Sequence, residues 1–132
     1  MITNEELIEI AKEARKFACV PILDFKVGAA LLDAEGNVFQ GCNIQDPSGI
    51  GITNICAERC AVIKAISSGS DNYVKIAIVG GEQELEKCMP CGACLQFLHS
   101  FAPDIKIVLE DNGEIEEYIL NALLPYAFDE RF

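Results

Sequence analysis

The sequence lacks tryptophan, has a single histidine, and contains only ten Lys plus Arg against 21 Asp plus Glu, for a net charge of −11. So acidic a surface repels a phosphate backbone, and we therefore expect no nucleic-acid partner. No apolar run approaches the roughly 20 residues that cross a bilayer, so no membrane span is expected. There is also no basic start followed by an apolar segment, the pattern of a secretory signal.

Cysteine, by contrast, is abundant. The 132 residues hold seven cysteines, at positions 19, 42, 56, 60, 88, 91 and 94. In the absence of a secretory signal we expect a cytoplasmic protein, whose thiols stay reduced. Clustered cysteines in that compartment indicate metal binding or catalysis more often than disulfides.

The apolar pattern alternates between helical and extended segments. Thr3-Asn4-Glu5-Glu6 predicts a capping box at the start of a helix, which Pro21 should end. Two short apolar runs at 26–32 and 38–42 predict a β-hairpin. Further along we predict a loop at 44–55, helices at 56–67, 92–101 and 119–124, and strands at 73–79, 105–109 and 114–119.

Gly80-Gly81 is expected to end the strand at 73–79, and Asp111-Asn112-Gly113 to turn the chain between the last two strands. Helices that alternate with strands favour the α/β class, arranged as a three-layer α/β/α sandwich with a mixed sheet. Helical crossovers require some of the strands to be parallel. No linker or repeat divides the chain, so we predict one domain over residues 1–132.

Two short segments hold the residues suited to chemistry, Cys56-Ala57-Glu58-Arg59 and Pro90-Cys91-Gly92-Ala93-Cys94. Cys91 and Cys94 lie one helical turn apart and therefore share a face. Cys56 offers a third thiolate from the start of another helix, where the helix dipole favours negative charge. Three protein ligands leave a tetrahedral Zn²⁺ one open position, the mark of a catalytic site. The sequence thus predicts a catalytic zinc ion bound by these cysteines.

The order Cys-x-Glu followed by Pro-Cys-x-x-Cys resembles the zinc deaminase signature, in its form with cysteine first. The likeness runs through nearly the whole chain and includes Phe25-Lys26-Val27-Gly28-Ala29-Ala30, Gly41-Cys42-Asn43-Ile44 and Leu123-Leu124-Pro125. The chain therefore resembles the small homotetrameric cytidine deaminases. This resemblance implies a cytidine deaminase-like fold, a homotetramer, and hydrolytic deamination of cytidine, deoxycytidine or a related aminopyrimidine nucleoside in pyrimidine salvage.

Roles for individual residues follow from the two segments. Deamination needs a group that takes a proton from the attacking water and returns protons to the base and the departing amine, and Glu58 is placed to do so. Three thiolates give the metal a net negative charge, and Arg59 could tune the metal by donating to the ligand sulfurs. By resemblance, Ala57 belongs to the substrate-binding set and Phe25 lies beside the pyrimidine.

On the sugar side, the resemblance implies that Asn43 holds a ribose hydroxyl and that Phe128 reaches into a neighbouring subunit's site. Gln45 stands where the family usually has glutamate, and an amide accepts a weaker hydrogen bond than a carboxylate. The loop at 46–54 is longer than is usual in that family, and Ile22-Leu23 stands where the family has a Tyr-Ser pair. Blasticidin S therefore stays open as an alternative substrate.

Another alternative concerns Cys88, which precedes Cys91 by three residues. With the three predicted ligands it would complete a closed Cys₄ zinc site, and the chain would then be a non-catalytic binding module. The remaining cysteines are expected to be small buried hydrophobes. His99 is expected to lie on its helix away from the metal.

Overall fold

A computed structural model describes residues 1–129, so the last three residues of the predicted domain lie outside the described part. Its helices are α1 (Asn4–Arg15), α2 (Ala57–Ser67), α3 (Gly92–Phe101) and α4 (Leu120–Leu123). Its strands are β1 (Lys26–Asp33), β2 (Val38–Cys42), β3 (Tyr73–Gly81), β4 (Lys106–Asp111) and β5 (Glu114–Ile119). Within residues 1–129, no helix has the length and apolar character that a membrane crossing requires.

The five strands form one mixed sheet in the order β2-β1-β3-β4-β5. Strands β3 and β4 are parallel and are joined through α3, whereas the other neighbouring pairs are antiparallel. A parallel pair needs such a crossover because its strands run in the same direction. The predicted α/β fold with a mixed sheet is therefore confirmed.

Helices cover both faces of this sheet because successive side chains of a strand point to opposite sides. From β1, Ala30 and Leu32 pack in a cluster with residues of α1. Ala29 and Leu31 enter the other cluster, which contains residues of α2, α3 and α4. The result is the predicted three-layer sandwich, with α1 alone on one face.

Helix α1 begins as predicted but ends early. Thr3 Oγ1 accepts from the Glu6 amide at 3.1 Å, and the Glu6 carboxylate accepts from the Thr3 amide at 3.0 Å, which completes the capping box. The predicted end at Pro21 is wrong, because the helix stops at Arg15. Two tight turns follow it, and the Cys19 amide then donates to the Asn43 carbonyl at 3.0 Å. Pairing with the segment after β2 thus draws the chain out of the helix before the proline.

Strand β3 runs further than its sequence suggests. Gly80 and Gly81 were expected to end it, but they pair with Val27 and Lys26 of β1. A double glycine is a turn signal when taken alone. The register with β1 outweighs that local signal, so the predicted end is wrong by two residues. The turn at Asn112 and Gly113 is confirmed, with φ values of 52° and 83°.

Gly28 lets α1 lie directly on the sheet. A Cβ at this position would stand 2.1 Å from the Ala11 carbonyl oxygen and 2.5 Å from the Arg15 amide nitrogen. Both are backbone atoms of one helix, so a side chain here would push α1 away from β1.

We therefore expect Gly28→Ala to lower the free energy of unfolding by about 2–3 kcal/mol, because an overpacked core must shift its backbone. Denaturant unfolding measures the loss. Gly51→Ala is the matched control, since a Cβ there has no atom within 4 Å. Equal stability of the two variants would contradict the close approach of α1.

Candidate active site

The site lies where the first turns of α2 and α3 meet. Cys56 is the N-cap of α2 and Cys91 the N-cap of α3, and both have extended backbone angles. Cys94 lies one turn into α3 and is fully buried. The three Sγ atoms lie within 4.8 Å of one another. The fold thus brings together the three cysteines that the sequence singled out as ligands.

The arrangement fits a zinc ion. Zn–S bonds of about 2.3 Å in a tetrahedron place their sulfurs about 3.8 Å apart, so a small closure of the cluster suffices. Three sulfur donors also match the ligand preference of zinc. Both helices point their N-terminal ends at the cluster, and the partial positive charge there stabilises thiolates. Among residues 1–129, the side chains that form a group of three or more potential metal ligands close enough to hold an ion are those of these cysteines.

The proton distribution within the cluster is uneven. A hydrogen bond from Cys94 lowers the pKa of Cys56 to about 5, with help from Arg59 and against the effect of burial. The same hydrogen bond, together with burial and the charge of Glu58, raises the pKa of Cys94. The hydrogen bond thus favours the thiolate at Cys56 and the thiol at Cys94. Because metal ligands must be deprotonated, an ion that binds all three sulfurs releases the protons that they hold.

Arg59 lies against the cluster with its guanidinium held by the preceding loop. Its Nη2 donates to the Asn54 carbonyl at 3.0 Å and to Cys56 Sγ at 3.8 Å. Its Nε is buried and makes no hydrogen bond within the part of the chain that the structure describes. Asn54 Oδ1 in turn accepts from the Asp46 amide at 2.7 Å. Through Asn54, the 46–54 loop therefore helps to hold the Arg59 guanidinium against Cys56, a candidate ligand.

Glu58 lies in the first turn of α2, two residues after Cys56, and is only 5% exposed. Burial raises the pKa of its carboxyl group, and the nearby charge of Cys56 acts in the same direction. A buried carboxyl group with a raised pKa is suited to take up and return protons near neutral pH. The structure thus places a buried carboxyl group with a raised pKa next to the candidate metal ligands Cys56 and Cys94.

Cys88 lies outside the three-cysteine group. Its Sγ and a ring carbon of Phe25 occupy the space beside Gly80, 2.7 Å and 3.2 Å from where a Cβ of that glycine would stand. Burial, and secondarily the charge of Glu58, raises the pKa of Cys88 to about 12, so the group is a neutral thiol. This packing favours three ligands and an open position over the closed Cys₄ alternative.

Phe25 and Asn43 lie next to the start of β1 and the end of β2, respectively. Phe25 is half-buried, and its ring lies beside Gly80, as Cys88 Sγ does. Asn43 Oδ1 accepts from the Val27 amide at 2.8 Å, and its Nδ2 donates to the Phe25 carbonyl at 2.8 Å. The side-chain amide of Asn43, which the sequence predicts to bind a sugar hydroxyl, thus holds the backbone on both sides of Lys26. Ala57 is fully buried at the start of α2.

Gln45 contacts the segment that precedes Phe25. Its Oε1 accepts from the amides of Ile22 and Leu23, both at 2.9 Å, and its Nε2 donates to the Leu23 carbonyl at 2.9 Å. Nothing in the sequence pattern indicated these three bonds, because they join residues more than 20 positions apart.

Phe128 lies on the C-terminal segment and is 68% exposed. Its backbone is held on both sides by Gln96 of α3, whose Oε1 accepts at 2.7 Å and whose Nε2 donates at 2.9 Å. Sequence reasoning missed Gln96, since no motif connects a helix residue to the end of the chain. His99 is likewise directed to this segment, with Nε2 3.9 Å from Asp129 Oδ2, and is not among the cysteine ligands.

Three cysteines close enough to hold an ion, a buried carboxyl group next to them, and an α/β/α sandwich are typical of a zinc-dependent hydrolase. Comparison with known proteins specifies the family. The profile described as the cytidine and deoxycytidylate deaminase zinc-binding region matches residues 1–110. The chain belongs to this family of zinc-dependent aminohydrolases.

Individual relatives agree with that assignment. The cytidine deaminase of Halalkalibacterium halodurans is 44% identical over 127 residues, which cover 95% of this chain and 93% of that protein. The crystal structure of cytidine deaminase from Burkholderia pseudomallei has a TM-score of 0.87 at 37% identity, and the match covers 96% of this chain and 100% of that one. The blasticidin-S deaminase of Bacillus cereus is 27% identical over 108 residues, covering 77% of this chain and 76% of that protein.

The ligand set can be tested by zinc content. We expect Cys88→Ser to retain one zinc ion per chain, because Cys88 lies outside the group of three cysteines and packs beside Gly80. Cys91→Ser should lose most of its zinc, because a tetrahedral site then keeps only two protein thiolates. Elemental analysis of both purified proteins after dialysis measures the difference. Loss of zinc from Cys88→Ser, with retention in Cys91→Ser, would refute this ligand set.

Proposed function

We propose that this protein deaminates cytidine or deoxycytidine hydrolytically, releasing ammonia and the corresponding uridine nucleoside. One observation supports this most strongly: the buried Glu58 lies directly beside the cluster of Cys56, Cys91 and Cys94. The family assignment and the relatives named as cytidine deaminases point to the same base.

In this proposal Cys56, Cys91 and Cys94 hold the zinc ion, which when bound acts as a Lewis acid that activates water at neutral pH. Three thiolates would otherwise weaken that effect, since they leave the centre with a net negative charge. The guanidinium of Arg59 donates to Cys56 Sγ and withdraws part of the charge. Arg59 is therefore proposed to tune the metal rather than to touch the substrate.

Glu58 is proposed to move both protons of the reaction. Its carboxylate takes a proton from the water that attacks C4 of the pyrimidine, and delivers that proton to N3. It then takes the second proton from the new C4 hydroxyl group and delivers it to the exocyclic amine. The C4–N bond breaks, ammonia departs, and the C4 carbonyl of the uridine product remains. Burial of Glu58 keeps its pKa high enough for it to act in both directions.

The substrate is proposed to lie between the cluster and the start of β1. Phe25 would contact the pyrimidine, and Ala57, which is fully buried at the start of α2, would lie behind the base. Asn43 keeps one N–H and one acceptor lone pair beyond its two backbone bonds, and these are available to a ribose hydroxyl. Gln45 borders the same side of the site.

We also propose a cytoplasmic homotetramer that serves pyrimidine salvage. Large apolar side chains are strongly exposed on the single chain, among them Phe17 (79%), Ile52 (93%), Tyr126 (96%) and Phe128 (68%). Surfaces of this kind mark sites of protein association. The seven cysteines are all free thiols, as expected of a reducing compartment.

The zinc-loaded protein should release ammonia from cytidine, and Glu58→Gln should reduce kcat by at least about 10³-fold, because an amide cannot carry protons. Zinc content and fold should be unchanged. Glu35→Gln, at an exposed turn between β1 and β2, is the matched control and should retain full activity. A coupled ammonia assay measures the rates.

The same assay, run on deoxycytidine, free cytosine and blasticidin S, tests the substrate. Preference for blasticidin S over both nucleosides would reject the cytidine assignment, and undiminished turnover by Glu58→Gln would reject the proton-transfer role.

The assembly can be tested separately. Light scattering should give a native mass near four times the chain mass of 14.4 kDa. Phe128→Ala should raise KM for cytidine by roughly tenfold, as expected when an aromatic contact at an interface site is removed. In mixtures, added Glu58→Gln subunits with an intact Phe128 should restore part of the affinity. A monomer with a normal KM would contradict the shared site.

A further inference from the structure

The segment 43–45, which follows β2, holds the stretch between α1 and β1. The Cys19 amide donates to the Asn43 carbonyl at 3.0 Å, and the Gln45 amide donates to the Cys19 carbonyl at 2.8 Å. Beyond this point, residues 20–25 pair with no strand in the described part of the chain. There the side chains of Asn43 and Gln45, and not a neighbouring strand, bind the main chain, each through hydrogen bonds to two or more main-chain groups.

Gln45 makes the bonds that hold Leu23. Its carboxamide engages both the N–H and the C=O of Leu23, and also the amide of Ile22. The Leu23 carbonyl additionally accepts from the Phe25 amide at 2.8 Å, which closes a tight turn directly before the aromatic residue. The Ile22 and Leu23 side chains are 54% and 69% exposed, so packing within the chain does little to fix them. The conformation that leads into Phe25 therefore depends on Gln45.

The hydrogen-bonding capacity of Gln45 is almost fully used. A carboxamide oxygen has two acceptor lone pairs and the nitrogen has two N–H groups. Both lone pairs of Oε1 are occupied by backbone amides, and one N–H is given to Leu23. The side chain has no acceptor left for a sugar hydroxyl. A glutamate here would lose the N–H and would place an oxygen against the Leu23 carbonyl, where two acceptors face each other without a proton.

We propose that Gln45 is a positioning residue, which holds the 22–25 backbone so that Phe25 is presented to the pyrimidine, and that it does not accept a hydrogen bond from the sugar. This inference rests on the proposed function, since it assumes that the base lies against Phe25. It explains why glutamine stands here in place of the family's usual glutamate: the turn needs the hydrogen bonds of an amide. Gln45 then contributes to affinity by holding the turn and not by contacting the sugar.

The two roles predict different patterns across substrates. A residue that binds a hydroxyl matters only for nucleosides that carry it, whereas a residue that positions Phe25 matters equally for all of them. The test set is Gln45→Met, which keeps the length but loses all three bonds, and Gln45→Glu. Gln40→Met is the matched control, because Gln40 also donates to a backbone carbonyl, that of Ile10 at 3.0 Å, which belongs to α1 and not to this turn.

With cytidine, 2′-deoxycytidine and 3′-deoxycytidine, Gln45→Met and Gln45→Glu should raise KM about five- to tenfold for each nucleoside and change kcat less than about twofold. The ratios between the three substrates should stay within about twofold of the wild type, and Gln40→Met should match the wild type. An effect confined to nucleosides that carry one particular hydroxyl would overturn the proposal, as would an improved KM in Gln45→Glu.

Amide hydrogen exchange tests the inference without turnover. In the zinc-loaded protein, the peptide covering residues 20–26 should exchange about tenfold faster in Gln45→Met than in the wild type or in Gln40→Met. Unchanged exchange in Gln45→Met would overturn the positioning role even if activity were altered. Absence of ammonia release from wild-type protein would instead refute the proposed function, so the two failures are distinguishable.

Discussion

The approach of the α2 and α3 N-termini is the constraint on which the rest of the site depends. Three sulfurs within 4.8 Å of one another repel when they are charged, and a buried carboxyl group beside them adds to that repulsion. Two helix ends and the guanidinium of Arg59 supply the opposing positive charge. The sheet fixes where those helices begin, so the fold creates the electrostatic environment that lets the thiolates and Glu58 share one location.

Local patterns were sufficient for most of the fold. The capping box of α1, the hairpin of β1 and β2, and the bounds of α3 follow from short-range signals and are confirmed. The errors came where distant pairing decides the outcome. The end of α1 depends on Cys19 meeting the segment after β2, and the extension of β3 depends on its register with β1. Neither partner can be read from the sequence around the error.

The candidate site divides in the same way. The spacing of residues on one helix is a local property. The sequence could therefore predict that Cys91 and Cys94 share a face, and that Glu58 and Arg59 lie close to Cys56. The contacts of Gln45 and Gln96 could not, because each amide binds main-chain groups far away in the chain. In the sequence, a Gln that binds a distant part of the main chain looks like any other Gln. Its partners can be identified only in the folded chain.

Both helices at the site begin with a cysteine in the place where serine, threonine or aspartate usually satisfies the first free amides. Neither Cys56 nor Cys91 makes such a side-chain bond. The residues that would hold the ion are therefore the same residues that start α2 and α3. An ion that binds only the native chain shifts the folding equilibrium by mass action. The resistance of this protein to heat is thus coupled to its resistance to chelators. In a cell that is poor in zinc, both would fall together.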